Sequence, residues 1–340
     1  MKILAFGEVL LRMTVPEHLM LTQTDELRMS TVGTVVNLLS SLTHFGYRTR
    51  LLSRLPDNAL GQRAAGELRR YGIQDDYVTF GGQHMGAYFV ELGYGSRPER
   101  VTYQDRLSSA FCQQPPDDQE IAAALVGCQF VHICGITLSL TAPVRQAALR
   151  LAQQAHANGQ RVCFDFNYRQ QLNTGVAHET LKARYQEILP YVDIVFGSKR
   201  DLTALLDYPD DEDRTQSANR ESEAALYEQF VRDYHIDYFA GSYRYQIGQQ
   251  KWFAGFSYQH QQLVVGKARP LMILDRIGSG DAFASGIITG LIEGWSLQKT
   301  TDFAIATAIL AQATVNDAPE FTKEMVLADM ASDGQLELIR

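Results

Sequence analysis

The chain has 340 residues, of which 45% are hydrophobic and 21% charged, with a net charge of −8 at neutral pH. Such a composition describes a globular protein long enough to bury its own core without staples, as one large domain or two. The acidic balance argues against a nucleic-acid or anionic-membrane partner, so an acidic ligand would need a local cluster of basic groups.

Residues 3–6 read as a buried first strand, followed by Gly7-Glu8. This start lacks the charged region and small-residue cleavage site of a signal peptide, and no apolar run is long enough to span a bilayer, so the expected location is the cytoplasm. Residues 10–30 are β-like with no clear helix. Residues 38–45 read as a helix closed by Gly46, 50–54 as a short strand, and 60–71 as a helix stopped by Gly72. Residues 86–92 and 100–104 look like strands of a small separate sheet, joined by the turn-rich run GYGSRP.

From Gln119 onward strands and helices alternate. Strands are expected at 130–134, 162–166, 193–196 and 238–240, with helices at 142–157, 178–189, 201–206 and 221–234. Residues 209–219 are acidic and polar and read as an exposed insertion. Residues 252–258 and 262–266 look like a hairpin, and 299–314 like a strongly periodic helix. Short apolar strands between amphipathic helices imply an α/β fold with a mostly parallel sheet covered on both faces. Ligands of such sheets bind beyond the carboxyl ends of the strands. Residues 10–30 and 86–104 interrupt the alternation and read together as a small β-sheet lid. Cys112, Cys128, Cys134 and Cys163 form no CxxC pair and read as reduced core residues. The eight histidines are scattered, and neither a GxxxxGK[ST] loop nor a GxGxxG after a strand is present.

The chemistry concentrates in residues 274–291, LDRIGSGDAFASGIITGL. Apolar residues at helical spacing place a helix start near Gly280, with unpaired amides and the positive dipole end in its first turn. Gly278 and Gly280 let a phosphate approach that backbone closely. Asp281 at the edge of an anion site could accept the proton of an attacking hydroxyl, an arrangement suited to phosphoryl transfer. The plainer reading is a Gly-Ser-Gly turn with an Asp capping a helix.

This stretch resembles the GAGD signature of the ribokinase-like (PfkB) carbohydrate kinases, with Ser279 in place of Ala. Further matching pieces are FGEVLLRM near the start, LPDNALGQ at 55–62, LRRYGI at 68–73, GAYFVE at 86–91, DRLSSA at 105–110, GIT at 135–137 and DFNYRQ at 165–170. The resemblance covers most of the chain and is nearest to the 2-keto-3-deoxygluconate kinases. It implies one ribokinase-like α/β domain over 1–340 with the lid inserted, and ATP-dependent phosphorylation of the terminal hydroxyl of a sugar acid. It also implies that Mg²⁺ enters with ATP, with no dedicated protein metal site, and that the chain forms a homo-oligomer through the lid.

The resemblance assigns roles residue by residue. Asp281 is the base, and Gly278, Ser279 and Gly280 form the anion cradle. Arg106 and Arg169 hold the sugar carboxylate, a task that suits the planar guanidinium fork. Gly33, Asn37, Tyr88 and Tyr103 complete the sugar site, while Asn167, Ser198, Gly241, Arg244 and Asn316 serve the nucleotide. Gly241–Arg244 is expected as a loop over the nucleotide. Val32 and Thr34 depart from the family's Gly-Gly run and would crowd the substrate backbone, and Asn316 stands where a Gly is usual. Two alternatives remain: a fructokinase-like enzyme for neutral sugars, and a sugar-acid-binding homologue impaired in catalysis.

Overall fold

The computed structural model describes residues 1–209 and 220–332. Its first half runs β1 (Lys2–Phe6), β2 (Leu10–Thr14), β3 (Arg28–Val32), α1 (Thr34–His44), β4 (Arg48–Leu55), α2 (Ala59–Arg70), β5 (Gln74–Phe80), β6 (Ala87–Glu91), β7 (Arg100–Gln104), α3 (Ala110–Gln113) and α4 (Asp118–Leu125). The alternating part follows as β8 (Phe130–Cys134), α5 (Ala142–Ala157), β9 (Arg161–Asp165), α6 (His178–Ile188), β10 (Ile194–Phe196), α7 (Lys199–Leu206) and α8 (Arg220–Tyr234). The chain continues through β11 (Tyr238–Ile247), β12 (Gln250–Gln259), β13 (Gln262–Val265), β14 (Arg269–Pro270), α9 (Ser279–Glu293), α10 (Leu297–Gln312) and α11 (Lys323–Ser332).

The main sheet has the order β13-β12-β11-β10-β9-β8-β1-β4-β5, with β14 pairing β12. Pairs from β11 across to β5 are parallel, and β12, β13 and β14 add antiparallel partners at one end. Successive residues of a strand point to opposite faces. Accordingly Leu4 and Phe6 enter one core, with α5, α6 and α8, while Ile3 and Ala5 enter another, with α1, α2, α9 and α10. Burial on both faces explains why these strands are continuous apolar runs. A second sheet, β3-β2-β6-β7, has its own small core of Leu10, Val32, Tyr88, Val90 and Leu92. The result is the layout that the resemblance implies, a covered, mostly parallel sheet with a small separate lid sheet.

Several boundaries differ from the sequence reading. The helix expected from residue 38 begins at Thr34, because Gly33 turns the chain with φ +145. β5 went unrecognised because its run, QDDYVTF, is polar and lies at the sheet edge. The strand at 238–240 extends to Ile247 and pairs with β12 throughout, so Gly241–Arg244 is strand and not loop. β12 and β13 do form a hairpin, turned by His260 and Gln261, both at positive φ, the geometry that matches strand twist. The insertion expected at 209–219 lies, beyond Pro209, outside the described residues. All four cysteines are free and buried. No described helix is long and apolar enough to cross a membrane.

Candidate active site

The carboxyl ends of β1, β8, β9, β10 and the buried start of β11 open into a cleft of roughly 660 Å³, roofed by the lid. At its floor, α9 starts on Gly278, whose φ is +82 and where a Cβ would lie 2.4 Å from the carbonyl oxygen of Asp317. Only glycine fits there. The first intrahelical bond runs from Ala282 N–H to Gly278 O at 2.9 Å, which leaves the amides of Ser279, Gly280 and Asp281 without helical acceptors. A Cβ on Gly280 would meet nothing within 4 Å, so the space beside the cradle is open to a ligand. Asp281 is 6% exposed and its carboxylate accepts from Asn37 Nδ2 at 2.8 Å. Burial pushes its carboxyl well above the usual range; the Asn37 hydrogen bond offsets part of this, and Asp165 adds to the rise.

A second helix, α1, also starts at the cleft, on Gly33. A Cβ at Gly33 would lie 2.5 Å from the carbonyl oxygen of Glu8, so only glycine fits at this turn. The crowding expected from Val32 does not occur: Val32 is turned into the lid core. Thr34 does line the cleft.

The lid contributes Tyr88 and Tyr103, a cross-strand pair with ring centroids 5.7 Å apart. Arg106 is buried, and Nε and Nη2 reach the same Glu8 oxygen at 2.8 and 2.7 Å. Its charge is therefore shared with Glu8, whose other oxygen is buried without a partner. Arg169, by contrast, is exposed, lines the cleft and is in no ion pair among the described residues. Beneath the lid, the fully buried Arg12 binds both Asp275 and Asp317, and Tyr88 donates its hydroxyl to Asp317.

On the far side, Asn167 (φ +38) receives Asp165 as acceptor for its backbone N–H at 3.1 Å. Its Oδ1 is buried without a partner. Burial pushes the Asp165 carboxyl up to about 6, against the pull of Arg169. Ser198 caps α7 in a reciprocal box with Asp201: Ser198 N–H and Oγ both donate to its carboxylate, at 2.8 and 2.7 Å. Gly241 lies so close to β10 that a Cβ would stand 1.8 Å from the carbonyl oxygen of Gly197. Arg244 reaches from β11 to Ser279 Oγ at 2.5 Å and lies over the Phe253 ring.

All the sequence-derived site residues thus line one cleft, with the exception of Asn316. Its side chain turns away and donates to the Tyr71 hydroxyl at 3.2 Å, while its backbone takes φ +92. Asn is among the few side chains that tolerate this region, so the position keeps the backbone shape that a glycine would give. Sequence reading did not single out Glu8, Arg12, Asp275 or Asp317, whose partners lie far along the chain, nor Arg276. It also saw no cluster of metal-ligand type, yet His178, Glu179 and Asp207 meet on the surface. There Asp207 is already engaged by His178 and Lys182.

Comparison with known proteins agrees with this geometry. Residues 1–231 match the model of the pfkB family carbohydrate kinases. A Haloferax volcanii protein named 2-dehydro-3-deoxygalactonokinase is 26% identical over 96% of this chain and 95% of its own. A solved structure from Enterococcus faecalis, provisionally named a 2-keto-3-deoxygluconate kinase, is 45% identical with a TM-score of 0.94, covering 100% of this chain and 98% of that one. The 2-dehydro-3-deoxygluconokinase of Thermotoga maritima is 28% identical with a TM-score of 0.89, covering 97% and 98%. With a signature cradle at the head of α9, a lid over the cleft and a family match across two thirds of its length, the chain belongs to the PfkB family of carbohydrate kinases.

Proposed function

We propose that the protein transfers the terminal phosphoryl group of ATP to the terminal hydroxyl of a sugar acid, with 2-keto-3-deoxygluconate as the preferred substrate. The observation that carries this reading is the meeting, in one cleft, of buried Asp281, the amide cradle of α9 and the cation Arg169, which is in no ion pair among the described residues. The substrate hydroxyl oxygen attacks the γ-phosphorus as its proton passes to Asp281. The bond from that phosphorus to the bridging oxygen breaks, and ADP leaves with the electron pair. The amides of Ser279, Gly280 and Asp281 stabilise the charge on the phosphoryl oxygens. Arg169 pairs with the sugar carboxylate, and Arg106, fixed by Glu8, presents its remaining nitrogen to the same ligand. The lid excludes water, which would otherwise compete as acceptor.

Asp165, Asp201 and the unpartnered Oδ1 of Asn167 are oxygen donors of the kind a hydrated Mg²⁺ takes. Mg²⁺ accompanying ATP would neutralise phosphate charge there. The lid also supports self-association: β3 and β7 are edge strands, and Met29 and Tyr103 are exposed, which sedimentation velocity would report as an oligomer.

The test is a coupled ADP-release assay over 2-keto-3-deoxygluconate, its C4 epimer, other sugar acids and neutral ketoses. Turnover confined to the sugar acids is expected. Comparable kcat/KM for fructose would replace this reading with a neutral-sugar kinase, and tight sugar-acid binding without ADP release would replace it with a binding protein.

A further inference from the structure

We propose that Arg276 is a second phosphate-binding arginine, which forms with Arg244 a paired guanidinium clamp over the amide cradle and grips the terminal phosphoryl group of ATP. The inference deepens the kinase reading and rests on it.

Arg276 sits two residues before Gly278, and its surroundings fix its direction. Asp275 before it is fully buried and bound to Arg12, and its Oδ1 accepts from Ile277 N–H at 3.2 Å. The Arg276 carbonyl accepts from Ser279 Oγ at 3.1 Å. With neighbours and backbone held, the Arg276 side chain is the exposed one and lines the cleft. Arg244 arrives from β11 and donates to the same Ser279 hydroxyl. The two arginines therefore flank Ser279, one through its side chain and one through its backbone.

Two like charges thus line one cleft, and among the described residues neither Arg244 nor Arg276 is in an ion pair. Desolvation of its guanidinium within the cleft, and the charge of Arg276, lower the Arg244 pKa to about 10. The acid that faces Arg276 is Glu99, in the lid. Burial and the charges of Asp275 and Asp317 push the Glu99 carboxyl up to about 7, with Arg276 and Arg12 opposing, and among the described residues Glu99 forms no ion pair with Arg276. A cationic pair beside an amide cradle is complementary to a multiply charged phosphoryl group. Ser279, where Ala is usual, supplies the hydroxyl that accepts from Arg244 and donates to the Arg276 carbonyl.

The experiment measures ATP and ADP binding by calorimetry, with Mg²⁺, on the full chain and on Arg276→Ala and Arg276→Lys, beside steady-state kinetics. A clamp on the terminal phosphoryl group predicts that Arg276→Ala weakens ATP by about tenfold or more and ADP by less than about threefold. In turnover, kcat should fall about 100-fold or more with the sugar-acid KM little changed. Arg276→Lys should recover part of both, because it restores the charge without the fork. Melting temperatures should match the parent, since the side chain is exposed. Equal weakening of ATP and ADP, or no weakening, would overturn the clamp, as would a raised sugar-acid KM with ATP affinity intact. If the parent turns over no sugar acid, the kinase reading falls, while the ATP–ADP difference still decides the clamp.

Discussion

Asp281 joins two properties that oppose each other, since it is buried and must be ionised to accept a proton. Asp281→Asn keeps the size, the helix position and a partner for Asn37, and removes the acceptor. The expected result is a folded variant that binds substrate as the parent does, with kcat lower by about 10²–10⁴ as is usual on loss of a general base. Because burial raises its pKa, the acid limb of the parent's kcat/KM profile should lie above the ordinary carboxylate range. The same shift has a stability consequence of fixed sign. The folded state favours the protonated form, so the contribution is present at low pH and is lost as pH rises through the raised pKa. Thermal melting of Asp281→Asn across that window should decline less with pH than the parent's. At this scale the sequence was legible where a role rides on a local run, as for Asp281 in GSGD or Arg169 in NYR. Glu8 was not legible: its partner Arg106 is 98 positions away, and no local pattern announces a pair that only the lid brings together.

The start of α9 is a single device made of a turn and a helix end. Gly278 takes a conformation that side chains rarely adopt and abuts the Asp317 carbonyl. Gly278→Ala should therefore displace the cradle while leaving the body of α9 in its core. We expect kcat to fall at least tenfold and stability to drop by about 1–3 kcal/mol, from the strained backbone alone, measured by steady-state kinetics and denaturant unfolding. A retained kcat would mean that the cradle tolerates the shift. Elements with both faces buried, such as β1 and β8, were readable because nearly every residue is apolar. β11 was read three residues long because only its first four positions are buried. Its polar half, SYRYQI, owes its strand form to pairing with β12 from Gly241↔Phe256 to Ile247↔Gln250, information that sits in the partner strand.

At the scale of the molecule, two sheets share one cleft, and Arg12 ties them together. It leaves the lid on β2 and binds Asp275 before the cradle and Asp317 behind it. Removing a partner from a buried charge group typically costs about 3–5 kcal/mol, because the remaining charges lose compensation. Arg12→Ala should thus loosen the joint between sheets. Limited proteolysis should cut the lid segments sooner than in the parent, while the core of the main sheet resists; a cleavage rate equal to the parent's would show that packing alone seats the lid. The layered α/β form was legible from alternating strands and helices. The joint was not, since it depends on residues 263 and 305 positions apart.

Those separations also set an order of events. Synthesis from the N-terminal side exposes Arg12 first, and its two acids follow only 263 and 305 residues later. Until then β2 can pair with β3 and β6, but the cation beneath them has no counter-charge and the lid has no fastening. Contacts so distant are the slowest to close and the last to be rewarded. The cleft is therefore completed by the same residues that build the cradle, so the lid gains its buried fastening only when the means of phosphoryl transfer is also in place.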